Sequence, residues 1–566
     1  MKLKRRISRM RVTRPILSVC VLAFLAFSLG STTSRAEPPP PQRRVDFSLP
    51  ADRSPAPWGG EAPIQDLPQV ETQTLIAGAA PPPNGRFGAA TNANSTQATW
   101  LAPLGAGWYL NFTARPPSSL TAAEFVQVIR LRQNKVNCDY VEGYTTSPSL
   151  TKTGVGSVIA SNRGALWIIG NEPDRGPNPD QCWLRGQDDT MPEVYAQIYH
   201  DAYAFIKAND PTARVANAGL VEVTPNRLQY LERVWQAYLN RYGTPMPVDV
   251  WNIHLYILPE TTPDGLPNGT ANIALGTDPA LGKRDSGGDP AKCADPNVYC
   301  YAEADDMGVF AEQVVAMRTW MKQHGQQNKA LILTEYSILY PYEIDPGPPQ
   351  NCFLQDEYGQ CFTPDRIRSF MTRSFDYLDS ASDPALGYPA DGNRLVQRWL
   401  WFGVNFQGAG SVSNLVTDSQ TALTPLGELF QSSVASRPTY VNLRPDPVPP
   451  LSAYAPSGVA TASLAVSVYN IGTAPTASSF TVTFYSDGAL TKPFGSAVIP
   501  PGLPGLEERR AIATVSWPGL LVGSHPFWAR VDSGEAVAES DEKDNVAAGV
   551  VTVLSKRLYL PIASRS

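Results

Sequence analysis

Between Trp100 and Ser436 the chain alternates short apolar runs with helical segments, and this alternation restricts the possible folds more than any other feature. The strand-like runs are "GWYLNFTA", "FVQVIRLRQ", "ALWIIGNE", "RVANAGLVEV", "VDVWNIHLYI", "ALILTEYS" and "VQRWLWFGV". Helices with core-facing spacing lie between several of them. Ile198, Ala202 and Phe205 mark one; Phe310, Val314, Met317 and Met321 mark another, which stops at Gly325. A third opens at Thr363-Pro364, a capping residue followed by proline at the first helical position. Strands and helices taking turns over this length predict an α/β domain with parallel strands, and residues 97–437 suit a (β/α)8 TIM barrel. "DYVEGYTT" is the best candidate for the third strand.

The flanks belong to other classes. Residues 1–36 join a basic stretch to the apolar run "PILSVCVLAFLAFSLG" and end in small residues at Ser34 and Ala36. That pattern predicts a signal peptide cleaved near Ala36, with a retained anchor as the runner-up because the run is near the short end for a spanning helix. Export to the outside or the cell surface follows, with no stable membrane insertion after cleavage. Cleavage removes eight Lys and Arg and no Asp or Glu, leaving 38 basic against 52 acidic residues, a net −14. So acidic a chain repels phosphate backbones, which excludes nucleic acid as a partner. Residues 37–96 are proline-rich and read as an extension or linker.

After Pro438 the pattern becomes period two. Leu464, Val466 and Val468 share one face, as do Phe480, Val482 and Phe484, and a turn follows at Asp487-Gly488. Residues 438–555 therefore predict an all-β sandwich of immunoglobulin type. Its closing part, with Val531-Asp532, Glu539-Ser540 and Asn545, resembles the CARDB family of immunoglobulin-like modules. The tail 556–566 is similar to the Tyr-Leu-Pro endings of some secreted bacterial proteins.

Two of the apolar runs end in carboxylates: Glu172 closes "ALWIIGNE" and Glu335 closes "ALILTE". Strand C-termini of a parallel barrel feed its active site, and a pair of carboxylates there is what glycosidic bond cleavage needs. "GNEP" and "LTEYS" resemble the fourth- and seventh-strand motifs of the large clan of retaining glycoside hydrolases on TIM barrels. The resemblance implies that Glu172 is the acid/base, that Glu335 is the nucleophile and that Asn171 binds the substrate 2-hydroxyl. In "VWNIHLYI", His254 and Tyr256 share a face with Asn252, which brings both to the mouth beside Glu335 if that face lines the barrel. The clan often carries His and Tyr there, the Tyr bonded to the nucleophile. By the same resemblance, Trp399 or Trp401 forms a sugar-stacking floor. Arg130 or Arg132 supplies a cation that keeps the nucleophile ionised.

The mature chain has six cysteines, and two close pairs lie in long loops. Cys293–Cys300 and Cys352–Cys361 are expected as local disulfides, leaving Cys138–Cys182. There is no CxxC pair and the four histidines are scattered, so no metal and no organic cofactor is expected. The expected activity is retaining hydrolysis of a β-linked poly- or oligosaccharide. The alternatives are a non-catalytic glycan-binding or adhesion protein on a barrel scaffold, and a transglycosylase. Linkage, endo or exo action and oligomeric state are not written in these motifs. Peptide mapping without reduction should recover the Cys293–Cys300 and Cys352–Cys361 links, and a Cys293–Cys352 link would refute the assignment. Loops this short stabilise by under about 3 kcal/mol each.

Overall fold

A computed structural model describes residues 83–555 apart from 94, 118–122, 178–186, 269, 288, 296, 300–303, 340–362, 447, 449–450 and 507–509. The signal peptide, most of the proline-rich extension, the tail and Cys182, Cys300, Cys352 and Cys361 lie outside the described residues. Cys138 is disulfide-bonded; the pairings expected from sequence otherwise rest on sequence alone. Among the described residues no helix is long and apolar enough to cross a membrane.

The first part of the chain builds β1 (Asn84–Ala90), α1 (Ser95–Ala98), α2 (Leu101–Leu104), β2 (Ala106–Leu110), β3 (Glu124–Phe125), β4 (Gln127–Val136), β5 (Asp139–Ser147), α3 (Val155–Ser161) and β6 (Leu166–Ile169). There follow α4 (Pro192–Asn209), β7 (Arg214–Asn217), α5 (Pro225–Tyr242), β8 (Val250–His254), β9 (Arg284–Asp285), β10 (Val298–Tyr299), α6 (Met307–Gln323), β11 (Ala330–Tyr336), α7 (Pro364–Ser380), β12 (Arg398–Trp401) and α8 (Pro425–Ala435). Local chemistry sets the boundaries. In α5 the Thr224 hydroxyl accepts the Arg227 N–H, Pro225 occupies the first turn and Gly243 ends the helix in the left-handed region at φ 70. Its buried face is Tyr230, Leu231, Val234, Trp235 and Tyr238, at helical spacing.

One sheet runs β3-β2-β1-β12-β11-β8-β7-β6-β4-β5. All its pairings are parallel except β4 with β5, a hairpin. β3 pairs with β2 and, one residue later, β4 pairs with β6, so a single stretch of chain meets both ends of the parallel row. A cluster on one strand face includes Ala90, Trp108, Val128, Ile168, Ala216, Val250, Ile332 and Leu400, a contribution from every strand of that row but the two-residue β3. The opposite face packs on the helices in the largest core.

Two strand expectations change. "DYVEGYTT" is β5, the return arm of the hairpin and not a member of the parallel row. Its exposed pattern, with no apolar face, explains why it stays outside the core. "NGRFGAA", inside the segment read as linker, is β1 and sits between β2 and β12. Proline just upstream and two glycines within hid it. The two errors cancel: with β3 and β4 counted as one stretch, Glu172 still follows the fourth parallel strand.

Residues 443–554 form β13 (Leu443–Pro445), β14 (Leu451–Tyr454), β15 (Val459–Asn470), β16 (Phe480–Tyr485), β17 (Pro493–Ile499), β18 (Arg510–Leu521), β19 (Gly523–Arg530) and β20 (Val546–Leu554). They lie in sheets of three (β13-β15-β18) and five (β14-β20-β19-β16-β17) strands. The alternating residues Leu464, Val466, Val468, Val482 and Phe484 are buried between them, as period two predicts. Asp532 and Glu539 knit the closing turns: Asp532 accepts the Ala536 and Val537 N–H groups, and Glu539 accepts Asn545 Nδ2 at 2.9 Å.

The sandwich touches the first strand directly, where Gly85 N–H donates to the Thr473 carbonyl at 2.7 Å. Arg437 belongs to the α/β part, with its guanidinium 2.7 Å from Asp376 and stacked over Phe87. Truncation just after Arg437 should therefore leave a folded α/β domain active on a short soluble substrate. Loss of the Gly85 bond, worth about 1 kcal/mol, should lower its melting temperature by a few degrees. Loss of activity with the domain still folded would refute this.

Candidate active site

Glu172, His254 and Glu335 come from β6, β8 and β11 and meet at the strand C-termini. A carboxylate oxygen of each glutamate and a ring nitrogen of His254 all lie within 4.8 Å of one another. His254 Nδ1 is 3.0 Å from Glu172 Oε1 and 3.7 Å from Glu335 Oε2. Tyr256 donates its hydroxyl to Glu335 Oε1 at 2.8 Å. All four side chains are buried.

Backbone geometry fixes each of these groups. Glu172 takes φ 46, which a non-glycine residue adopts only when its surroundings hold it. Its N–H is held by the Gly219 carbonyl at 3.0 Å, and Gly170 before it takes φ 99. Gly219 is required for a second reason: a Cβ there would sit 2.1 Å from His254 Cδ2. The ring therefore rests on bare backbone and turns Nδ1 toward the carboxylates.

Charge is shared unevenly. Burial pushes Glu335 up to about 7; the positive His254 opposes this and the Glu172 charge adds to it. Burial acts on Glu172 in the same sense, yet its hydrogen bond to His254 and the charges of His254, Arg175 and Arg227 hold it below the usual carboxylate range. Burial works against a charged His254, but the two glutamates raise its pKa above the ordinary histidine value.

Asn171 precedes Glu172 in the chain and is buried. Arg130 arrives at the site, and its charge lowers the Glu335 pKa. Arg132 is exposed on the hairpin. The tryptophans do not arrive. Trp399 and Trp401 share a face, as period two requires, but it is the outer one: both are fully buried, and Trp401 packs on Tyr336, Phe370 and Phe375. The inner face of β12 carries Arg398 and Leu400, and Arg398 pairs with Glu124 over the Trp108 ring. Beyond the strand the inner position is Phe402, part-exposed and stacked on Phe406 at 4.2 Å.

Sequence reasoning missed two supports. Asp188 accepts Arg130 Nε at 2.7 Å and the N–H groups of Asn171 (2.7 Å) and Leu131 (3.1 Å), tying two strand ends together. Arg227 is fully buried, 2.9 Å from Asp174 and 3.1 Å from Glu260, and it also donates to the carbonyls of Ala271 and Asn272. A basic residue in the first turn of a helix gave no hint of this. The convergence of Glu172, His254 and Glu335 from distant segments is likewise invisible in local spacing.

The CARDB family model matches residues 447–549. No curated protein matches the chain. Among solved structures, the chain is similar to a GH128 (subgroup I) endo-β-1,3-glucanase from Amycolatopsis mediterranei in complex with laminaritriose, at 16% identity and TM-score 0.37, covering 62% of this chain and 99% of that one. It is similar to a GH128 (subgroup III) curdlan-specific exo-β-1,3-glucanase from Blastomyces gilchristii in complex with glucose, at 15% identity and TM-score 0.34, covering 62% and 99%. The CARDB domain of a Pyrococcus furiosus protein, in complex with di-metal ions, is 22% identical with TM-score 0.17, covering 21% of this chain and 97% of that one.

A carboxyl whose folded pKa lies above its unfolded value binds its proton more tightly in the folded state. Stability then falls as pH rises between the two values, here from 4.5 to about 7 for Glu335. The slope is at most about 1.4 kcal/mol per pH unit for one proton. Glu335→Gln should flatten this decline, since it also withdraws a charge that raises His254. Denaturant unfolding at several pH values checks it, and an unchanged slope would show that Glu335 titrates normally.

Proposed function

We propose that the chain is a secreted retaining glycoside hydrolase that cleaves β-glycosidic bonds of a poly- or oligosaccharide, with no metal or organic cofactor in the reaction. The convergence of Glu172 and Glu335, with oxygens within 4.8 Å, carries this reading. Retaining enzymes hold their carboxyls about 5–5.5 Å apart, whereas inverting ones leave roughly 6.5–9.5 Å for a water. We take the parallel row as a closed (β/α)8 barrel. The stretch shared by β3 and β4, and a single cluster fed by β1, β2, β4, β6, β7, β8, β11 and β12, support closure.

In this mechanism one carboxyl protonates the leaving oxygen while the other attacks the anomeric carbon; the first then activates water to release the sugar. Strand order and the Tyr256 bond to Glu335 favour Glu172 as acid/base and Glu335 as nucleophile. The resting proton favours the reverse, since Glu335 is the carboxyl raised to about 7 and Glu172 the one held ionised. A net shift of the Glu335 proton to Glu172, relayed by His254 Nδ1 at 3.7 Å from Glu335 Oε2 and 3.0 Å from Glu172 Oε1, resolves the conflict. It makes Glu172 the acid, leaves Glu335 ionised and keeps His254 charged between them. Asn171 serves the 2-hydroxyl, Arg130 stabilises negative charge at Glu335, and Phe402 replaces the tryptophans as the flat apolar surface under the sugar.

Reducing-sugar release from a panel of β-1,3-glucan, β-1,4-glucan, xylan and mannan tests the activity. Product analysis separates hydrolysis from transglycosylation. No release from any of them, with glycan binding retained, would favour the adhesion reading. Azide rescue tests the roles on an activated β-glycoside. Glu335→Ala with azide should yield the inverted glycosyl azide, and Glu172→Ala the retained one. Swapped anomers would reverse the assignment.

A further inference from the structure

We propose that Glu172, His254 and Glu335 also form a site for a divalent transition ion of the zinc class, and that its occupancy shuts the mouth. Two carboxylate oxygens and one imidazole nitrogen are a donor set that zinc accepts, with bonds of about 2.0–2.2 Å. Tetrahedral bonds of that length put neighbouring donors about 3.4 Å apart. His254 Nδ1 stands 3.0 and 3.7 Å from the two carboxylate oxygens, and the span across all three donors stays within 4.8 Å. A small rotation of one carboxylate closes the set around an ion. Among the described residues no other three His, Cys, Asp or Glu side chains come together in this way.

Two further features suit an ion. The imidazole is seated against Gly219, where a Cβ would fall 2.1 Å from Cδ2, so its Nδ1 is already aimed. The two carboxylates together balance a 2+ charge, and three protein donors leave the fourth position open to water. Calcium and magnesium fit poorly, since both take six or more ligands, nearly all oxygen. An ion here claims the oxygens of both glutamates and so removes acid and nucleophile at once. Binding of the ion is independent of the glycosidase reading; inhibition by it rests on that reading.

The test is calorimetric titration of the full chain with Zn2+, paralleled by Co2+ followed through its visible tetrahedral bands. One ion per chain is expected, undisturbed by excess Ca2+. His254→Ala and Glu335→Gln, each checked for folding by circular dichroism, should weaken it by at least roughly 10–100-fold. No binding at millimolar Zn2+, or equal binding in both variants, overturns the site. Equal binding would point to a surface pair such as His324 and Glu232, 2.9 Å apart. If the ion binds and the variants lose it, yet glycoside cleavage continues under saturating Zn2+, the site stands and the assignment of Glu172 and Glu335 to catalysis fails.

Discussion

Two carboxylates buried within 4.8 Å of each other repel, and the fold is organised to make that repulsion tolerable. Like charges about 4 Å apart cost about 4 kcal/mol at an effective dielectric near 20, so bare ionisation of both is unfavourable. His254 between them supplies the compensating charge, and Tyr256 supplies a hydrogen bond to the less ionised partner. The imidazole holds its place only because residue 219 has no side chain. Proton, ring and bare backbone thus form one device.

Around this device stands a second ring of charge that contacts loops and strand ends. Arg227 joins the β6 loop through Asp174 to the β8 loop through Glu260 and the Ala271 and Asn272 carbonyls. Glu222 is buried nearby, and burial together with the charge of Glu260 raises its pKa well above the carboxylate range. Three carboxyls around one guanidinium cannot all ionise cheaply, and burial raises the pKa of each. Asp188 does similar work on the other side, where burial opposed by Arg130 leaves its pKa at about 6. Polar bonds thereby fix Glu260, Ala271, Asn272 and Asp188 around the site.

The parts legible in sequence were those where chemistry and period coincide. "GNEP" and "LTE" end buried strands, and the His254–Tyr256 pairing followed from residues two apart, although Tyr256 lies just past the end of β8. Period two also placed Trp399 and Trp401 on a common face but could not say which face. The inward side at the base of β12 holds Arg398, whose charge is met by Glu124 and by the Trp108 ring, a contact between three separated segments. Asp188 and Arg227 were silent for the same reason: their partners are strand ends and loop carbonyls far away in the chain. β1 was hidden because glycines and a proline context mask a strand whose neighbours do the packing.

The pairing of β1 with β12 sets when the molecule can become whole. Gly85 receives the Arg398 guanidinium across 313 residues, and Phe87 lies level with Trp399 in the parallel register. Until the ribosome has delivered residues 398–401, the strand beginning at Asn84 has an open flank, and no shorter nascent chain offers it this partner. Contacts of such sequence separation form late and slowly. A chain whose first strand waits for residues 398–401 keeps that flank open through most of its synthesis.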